Sequence, residues 1–178
     1  LISFETDNPD KLTFYLQEVS DLGLKTIPPD INQSEIEFSA QKSEILFGLK
    51  GIKNVGIAAL EKIIAERKEK PFLDMLDFCT RVDLRTVNKR VVESLIAAGA
   101  FDKLTGNRAQ QTTEIEKIIA LAIETKEAAK TGQMGLFTII KKESDQPHLY
   151  EFQQLDEWPD KKKLEKEKEV AGFYLSSH

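Results

Sequence analysis

The clearest indication of the fold is the segment Gly51-Ile-Lys-Asn-Val-Gly-Ile-Ala-Ala-Leu-Glu-Lys-Ile-Ile64. A short apolar lead-in is followed by a tight turn that ends at Gly56. A helix then begins at once with Ala58 and Ala59, and this order is typical of a helix-hairpin-helix pattern. The N–H groups at the start of that helix have no earlier carbonyl to bond, and the helix dipole is positive there. We therefore predict that the turn binds one phosphate of a nucleic-acid backbone.

The predicted contact combines backbone amides with two lysines. The DNA-binding residues we predict are Lys53, Asn54, Val55, Gly56, Ile57 and Lys62. The amides of residues 55–57 would bond the phosphate, and the two lysines would add positive charge. Asn54 stands where such turns usually have their first Gly, and Asn tolerates the left-handed backbone conformation better than other non-Gly residues. The alternative interpretation is a plain corner between two helices.

The distribution of charge favours a local contact with nucleic acid. The formal net charge of the 178-residue chain is −5. Residues 50–110 nevertheless carry 12 basic and 8 acidic side chains, whereas the rest of the chain carries 13 basic and 22 acidic ones. The hairpin region is therefore a basic island in an acidic chain. Because such contacts reach the backbone and read no bases, binding would be independent of base sequence and would weaken with salt.

The composition excludes several classes of protein. Cys79 is the only cysteine, which excludes a disulfide framework and a thiolate metal cluster and predicts a cytoplasmic protein. No apolar run approaches the roughly 20 residues that span a membrane, so we expect no membrane contact. The chain begins with Leu1 and carries no leader pattern, so we expect a piece of a longer protein.

The spacing of apolar residues predicts a mainly helical fold, in which a tandem helix-hairpin-helix domain follows a small N-terminal β-hairpin and precedes a C-terminal linker and charged helix. Gly99-Ala100-Phe101 is interpreted as the turn of a second, degenerate hairpin. Predicted helices begin at Pro9, Ile57, Pro71, Asn88, Arg108 and Asp160, and the predicted β-hairpin pairs residues 35–38 with 44–47. The predicted domains are residues 1–47 (a helix and the β-hairpin), 48–130 (the DNA-binding domain) and 131–178 (the linker and charged helix).

A second motif lies in the predicted linker and indicates a protein partner. Gln133, Met134, Gly135, Leu136 and Phe137 fit the bacterial sliding-clamp pentapeptide, Gln-x-x-Leu/Met-Phe. Leu136 and Phe137 would enter an apolar pocket of the clamp, while the Gln133 amide would fix the register by hydrogen bonds. The alternative is that these two apolar side chains anchor the linker on their own domain.

Catalytic chemistry is not indicated by the sequence. It contains no Ser/His/Asp or Cys/His set, no Gly-rich phosphate loop and no paired His ligands. The acidic side chains stand among lysines, which is typical of solvated helix faces. We therefore predict no catalytic residue, no metal ligand and no cofactor in this chain.

Several runs of residues, in unbroken order, resemble the bacterial DNA polymerase III alpha subunits, a family of replicative DNA polymerases. The runs are Tyr15-Leu-Gln-Glu18, Leu22-Gly23, Pro28-Pro29-Asp30-Ile31-Asn32, Phe47-Gly48-Leu49, Ile52-Lys-Asn-Val-Gly56, Asp77-Phe78-Cys79, Val82-Asp83, Asn88-Lys89-Arg90, Leu95-Ile96, Ala98-Gly99-Ala100-Phe101-Asp102 and Gly172-Phe-Tyr-Leu-Ser176.

The resemblance implies a fragment that runs from the end of the fingers, through a tandem helix-hairpin-helix domain that grips the duplex, towards an OB-fold. It implies double-stranded DNA, the sliding clamp (the beta subunit) and other replicase subunits as partners, with the clamp-binding peptide at residues 133–137. The parent would be a DNA-directed DNA polymerase. Its catalytic aspartates and two Mg²⁺ ions belong to a palm domain outside this chain, so the fragment alone would be inactive. In that family Gly is usual where this chain has Asn54.

Two other functions fit the sequence without the resemblance. Repair nucleases and ligases also use tandem helix-hairpin-helix units, but they would require a carboxylate cluster or a nucleophilic Lys in a cleft. A pure interaction module that binds the clamp and no DNA is compatible with the net acidity.

Overall fold

The chain order of helices and strands follows the apolar patterning closely. The structure is a computed structural model that describes residues 9–132 and 148–176. The elements are α1 (Pro9–Asp21), β1 (Lys25–Ile27), β2 (Ser39–Gln41), β3 (Glu44–Leu46), a 3-10 turn (Leu49–Gly51), α2 (Ile57–Glu69), α3 (Met75–Arg81), α4 (Lys89–Ala97), α5 (Arg108–Lys130) and α6 (Asp160–Ala171). The mainly helical fold with a small sheet is confirmed. No helix within the described ranges is long and apolar enough to cross a membrane.

Helix α3 begins later than predicted, at Met75 and not at Pro71. The Asp74 carboxylate accepts a hydrogen bond from the Asp77 N–H at 2.7 Å, which is an N-cap. The preceding Phe72 N–H donates to the Asn32 side chain at 2.8 Å. The Phe72 and Asp77 N–H groups thus donate to side chains and not to backbone carbonyls of a helical turn. The helix therefore starts after Asp74.

The predicted β-hairpin is present, but its first strand is β2 and not residues 35–38. Strands β2 and β3 pair antiparallel, and β1, which the patterning did not predict, pairs parallel with β3. The backbone of residues 36–38 lies against Gly48, where an added Cβ would come within 2.6 Å of Phe38 N. The Lys50 N–H also donates to the Ile36 carbonyl at 3.0 Å. That segment is therefore tied to the start of the helical domain and cannot join the sheet.

The hydrophobic core is centred on helices α3, α4 and α5. The rings of Phe72, Phe78 and Phe101 pack edge to face, with centroids 4.8 and 5.0 Å apart. Leu95 and Ile118 are fully buried around them. Burial of such side chains contributes roughly 1.5–3 kcal/mol each, so this cluster fixes the three helices against one another.

A buried guanidinium joins this core to the C-terminal helix. Arg108 is 1% exposed and donates to Asp102 at 2.7 and 2.9 Å and to Glu167 of α6 at 2.8 Å. The second Glu167 oxygen accepts the N–H groups of Leu175 and Ser176, both at 2.9 Å. Burial alone would lower the pKa of Arg108, but the hydrogen bonds and charges of Asp102 and Glu167 outweigh burial and raise it. Arg108 therefore keeps its positive charge in the buried network.

Residues 148–159, here called the strap, contain no helix or strand and run across the helical core. The Tyr150 N–H donates to Asp74 at 2.6 Å. The Glu114 carboxylate accepts the Tyr150 hydroxyl at 2.9 Å and the Gln153 N–H at 3.0 Å. Asp74 and Glu114 are both buried, so the prediction that the acidic side chains form solvated helix faces is wrong for these residues.

Replacing Arg108 by Ala should lower the free energy of unfolding by about 3–5 kcal/mol, because Glu167 would be left as an uncompensated buried charge. Urea denaturation followed by circular dichroism measures this change. Arg85→Ala is the matched control, since the Arg85 side chain is 95% exposed and its loss should leave stability nearly unchanged. Equal stability of the two variants would contradict the structural role of Arg108.

Candidate nucleic-acid interface

The hairpin turn, residues 52–56, connects the 3-10 turn to α2. It lies at the surface and packs on buried apolar side chains. Leu49, Ile52 and Val55 are buried below it. Gly56 is exposed, and Ile57 is 47% exposed. The apolar residues therefore hold the turn in place, while the start of α2 faces solvent.

Asn54 adopts the left-handed conformation expected of it, with φ at 68°. Its side-chain amide donates to the Ser94 hydroxyl of α4 at 3.1 Å. Ser94 cannot be identified from the sequence, because the two residues are 40 positions apart and no local spacing connects them. This bond sets the turn directly against α4.

The amides at the start of α2 have no partner within the described residues. Gly56 is the N-cap residue, and no side chain caps the helix. The first helical bond runs from the Leu60 N–H to the Gly56 carbonyl at 3.1 Å. No acceptor in the described part of the chain bonds the N–H of Val55, Gly56 or Ile57, and the first turn of α2 carries no acidic side chain. We call these three amides the open seat.

The space beside Gly56, in the middle of the open seat, is free of other atoms of the described chain. A Cβ added to Gly56 would meet nothing within 4 Å. The backbone of Gly56, with φ at −77° and ψ at 164°, is extended and suits any residue. Because Gly56 has no side chain, an external ligand can approach the amides of residues 55–57.

The two predicted lysines differ in their relation to the seat. The Lys53 N–H donates to the Val170 carbonyl of α6 at 2.6 Å and is therefore unavailable to a ligand. The Lys53 side chain is exposed. Lys62 lies about 7–8 Å further along the axis of α2 than Ile57. The Arg85 backbone amide lowers the pKa of Asp83 by hydrogen bonding, and the charges of Arg85 and Lys62 act in the same direction. Lys62 therefore also acts on the loop before α4.

The second predicted turn has no comparable amides. Gly99, Ala100 and Phe101 are buried. The Gly99 and Ala100 N–H groups donate to carbonyls at the end of α4, at 2.9 and 3.0 Å. A Cβ on Gly99 would collide with the guanidinium of Arg108. The helix pair α4–α5 is present, but its Gly turn is packed inside.

The amides at the start of α5 are already bonded to side chains of the chain itself. Asn107 and Gln110 form a capping box. The Glu157 carboxylate of the strap then accepts the N–H groups of Arg108 and Ala109 at 3.0 and 3.1 Å. The amides that would face a phosphate at this second helix start are thus taken by an internal carboxylate.

The first turns of α3 to α6 also differ from the first turn of α2. Side chains of Asp74, Asn88 and Asn107 cap α3, α4 and α5, and α6 carries Asp160 in its first turn. Of the helices α2 to α6, as far as the chain is described, only α2 has neither a side-chain cap nor an acid in its first turn. Its positive end is therefore the one left for an external anion.

The other predicted sites have less structural context. The predicted clamp-binding residues, Gln133 to Phe137, lie outside the described residues. Among residues 9–132 and 148–176, no group of three or more His, Cys, Asp and Glu side chains is arranged to hold a metal ion. Cys79 is buried and free, and burial raises the pKa of its thiol to about 12. Such a thiol is poorly suited to act as a nucleophile.

The fold and the open seat define a helix-hairpin-helix domain. A model of the helix-hairpin-helix motif family matches residues 23–111, half of the chain, so the chain belongs to that family. The match covers the sheet, the open seat and the helices α2 to α4.

The wider resemblance to the DNA polymerase III alpha subunits is also confirmed. The whole chain is similar to the DNA polymerase III subunit alpha of Thermus aquaticus, with 40% identity over 179 residues, and to that of Bacillus subtilis, with 37% over 178 residues. The corresponding subunit of Vibrio cholerae is 36% identical over 182 residues. The chain spans only 14–15% of the length of these relatives.

Because Asn54 is in the left-handed conformation, we expect a Gly variant at this position to be more stable than an Ala variant, the reverse of the order inside a helix. Asn54→Gly should be more stable than Asn54→Ala by about 1 kcal/mol, because both lose the bond to Ser94 but only Ala is strained at positive φ. In the middle of α5, Lys117→Gly should be less stable than Lys117→Ala by about 1 kcal/mol. Thermal denaturation of the four variants shows whether the Gly or the Ala variant is more stable at each of the two positions. The same order at both positions would rule out the left-handed turn.

Proposed function

We propose that this chain is the part of a bacterial replicative DNA polymerase that holds the duplex and docks the enzyme on the sliding clamp. The open seat would bind one backbone phosphate of double-stranded DNA. The pentapeptide at residues 133–137 would bind the clamp. The mechanism is tethering, since neither contact requires a chemical step in this chain.

The main support for the DNA contact is the start of α2, which has no side-chain cap and no acidic residue in its first turn. An anion there gains hydrogen bonds from the amides of residues 55–57 and favourable interaction with the helix dipole. The Lys53 side chain, next to the turn, adds a positive charge. Membership of the helix-hairpin-helix family supports the same interpretation. The contact would ignore base sequence and weaken as salt rises.

The clamp contact rests on the pentapeptide and on the similarity to DNA polymerase III alpha subunits. A weak duplex contact and a weak peptide contact on one chain raise each other's effective concentration, to the millimolar range for short flexible linkers. Tethering of this kind increases the number of nucleotides added per binding event and needs no additional base recognition.

The activity of the longer protein is proposed to be DNA-directed DNA polymerisation in the cytoplasm, together with other replicase subunits. The described residues do not offer a donor set for Mg²⁺. On the similarity to DNA polymerase III alpha subunits, we propose that Mg²⁺ and the catalytic carboxylates belong to a palm domain of the longer protein, and we expect this chain alone to be inactive as a polymerase.

Duplex binding tests the open seat. Gly56→Val should weaken binding of a short DNA duplex at low salt, because the branched side chain would cover the amides while the extended backbone accepts it. Lys53→Glu should weaken binding by about tenfold or more through charge reversal. Fluorescence anisotropy with labelled duplex measures both.

Lys161→Glu is the matched control for the charge reversal. Lys161 is exposed at the first turn of α6, about 13 Å along the helix from Val170, which contacts the turn. If Gly56→Val and Lys53→Glu bind duplex as well as Lys161→Glu does, the phosphate-seat assignment is wrong. A chain that binds the clamp and no duplex at low salt would favour the pure interaction module.

A peptide of residues 130–140 should bind the bacterial clamp, and so should the whole chain. Replacing Leu136 and Phe137 together by Ala should abolish binding, because the two apolar anchors supply most of the affinity of such a peptide. The matched control is Ile139→Ala with Ile140→Ala, which removes equally apolar side chains outside the pentapeptide. Surface plasmon resonance with immobilised clamp distinguishes them, and similar affinities for both double variants would remove the clamp from the proposal.

A further inference from the structure

Arg90 lies on the face of α4 that meets the hairpin turn. Residues four apart in a helix share a face, with Cβ atoms about 5–6 Å apart, so Arg90 lies one turn from Ser94. The Ser94 hydroxyl accepts the hydrogen bond from the Asn54 side chain at 3.1 Å. The bond joins α4 to the residue that immediately precedes Val55, the first amide of the open seat. Arg90 therefore stands one helical turn from the residue that anchors the hairpin turn, although 34 positions separate it from Gly56.

The charge of Arg90 is not compensated within the described part of the chain. Its side chain is exposed, and no carboxylate of the described residues forms an ion pair with it. Glu93, the nearest acidic residue along α4, is already paired. Lys89 contacts Glu93 at 3.5 Å and also pairs with Glu116, and the hydrogen bond to Lys89 is the main cause of the lowered pKa of Glu116. The neighbouring acids are thus occupied, and the guanidinium stays available to an external anion.

We propose that Arg90 binds a second phosphate of the same duplex, next to the phosphate held by the open seat. This inference rests on the proposed function of the seat. A planar guanidinium can donate two parallel hydrogen bonds to one phosphate. The two contacts differ in kind, because the amides of residues 55–57 are fixed in the backbone while the Arg90 side chain can follow the duplex. Together they determine the direction of the bound backbone across α2 and α4.

The test compares Arg90→Ala with Arg85→Ala in this chain. Each variant removes one exposed arginine, but Arg85 lies in the loop before α4 and pairs with Asp83 at 3.5 Å. Binding of a labelled duplex is measured at several salt concentrations. Arg90→Ala should weaken binding roughly three- to tenfold and reduce the slope of log K against log salt by about 1, as expected for the loss of one phosphate contact. Arg85→Ala should change both less, and Arg90→Lys should retain most of the slope.

The outcomes separate this inference from the proposed function. If Gly56→Val weakens binding while Arg90→Ala and Arg85→Ala have equal affinities and equal salt slopes, the role of Arg90 is overturned and the seat stands. If the chain does not bind duplex, or binds it equally well with Gly56→Val, the proposed function fails and the role of Arg90 fails with it. Circular dichroism of the variants is expected to match the parent chain, since Arg90 is exposed.

Discussion

The buried guanidinium of Arg108 is the constraint on which the arrangement of the helical domain depends. A buried charge must be paired and hydrogen-bonded, or it destabilises the fold by several kcal/mol. The partners of Arg108 come from separate places: Asp102 in the turn before α5 and Glu167 in α6. The positions of α5, α6 and the turn between α4 and α5 are therefore coupled. Glu167 extends the coupling by bonding the amides of Leu175 and Ser176.

The same chemistry, carboxylate oxygen with backbone amide, recurs across the molecule and explains why one helix start is different. Asp74, Glu114 and Glu157 each accept backbone N–H groups at the start of a helix or along the strap. Internal anions thus satisfy the amides at α3 and α5. The start of α2 has no such partner in the described chain. The proposed phosphate would therefore do at α2 what Glu157 does at α5.

Much of the fold could be predicted from the sequence, because helix patterning is local. The spacing of apolar residues predicted α1, α2, α4 and α5, a run of charged residues predicted α6, and the chemistry of Asn54 predicted its positive φ. Contacts between distant positions could not be predicted this way. The Asn54–Ser94 bond and the bond from the Arg108 amide to Glu157 join residues that are 40 and 49 positions apart in the chain. The predicted strand at residues 35–38 was wrong for the same reason, since its bonds go to Lys50 and its neighbours.

The hydrogen bond from the Lys53 amide to the Val170 carbonyl has a mechanical consequence. Val170 stands in the last turn of α6, and Gly172 then redirects the backbone with φ at 70°. A pull on the polypeptide after Gly172 would therefore reach the hairpin through this bond, as well as the core through Leu175, which is buried and bonded to Glu167. Tension in the backbone after Gly172 would be transmitted in part to the turn that carries the open seat. The affinity of the open seat for a ligand would therefore depend on that tension.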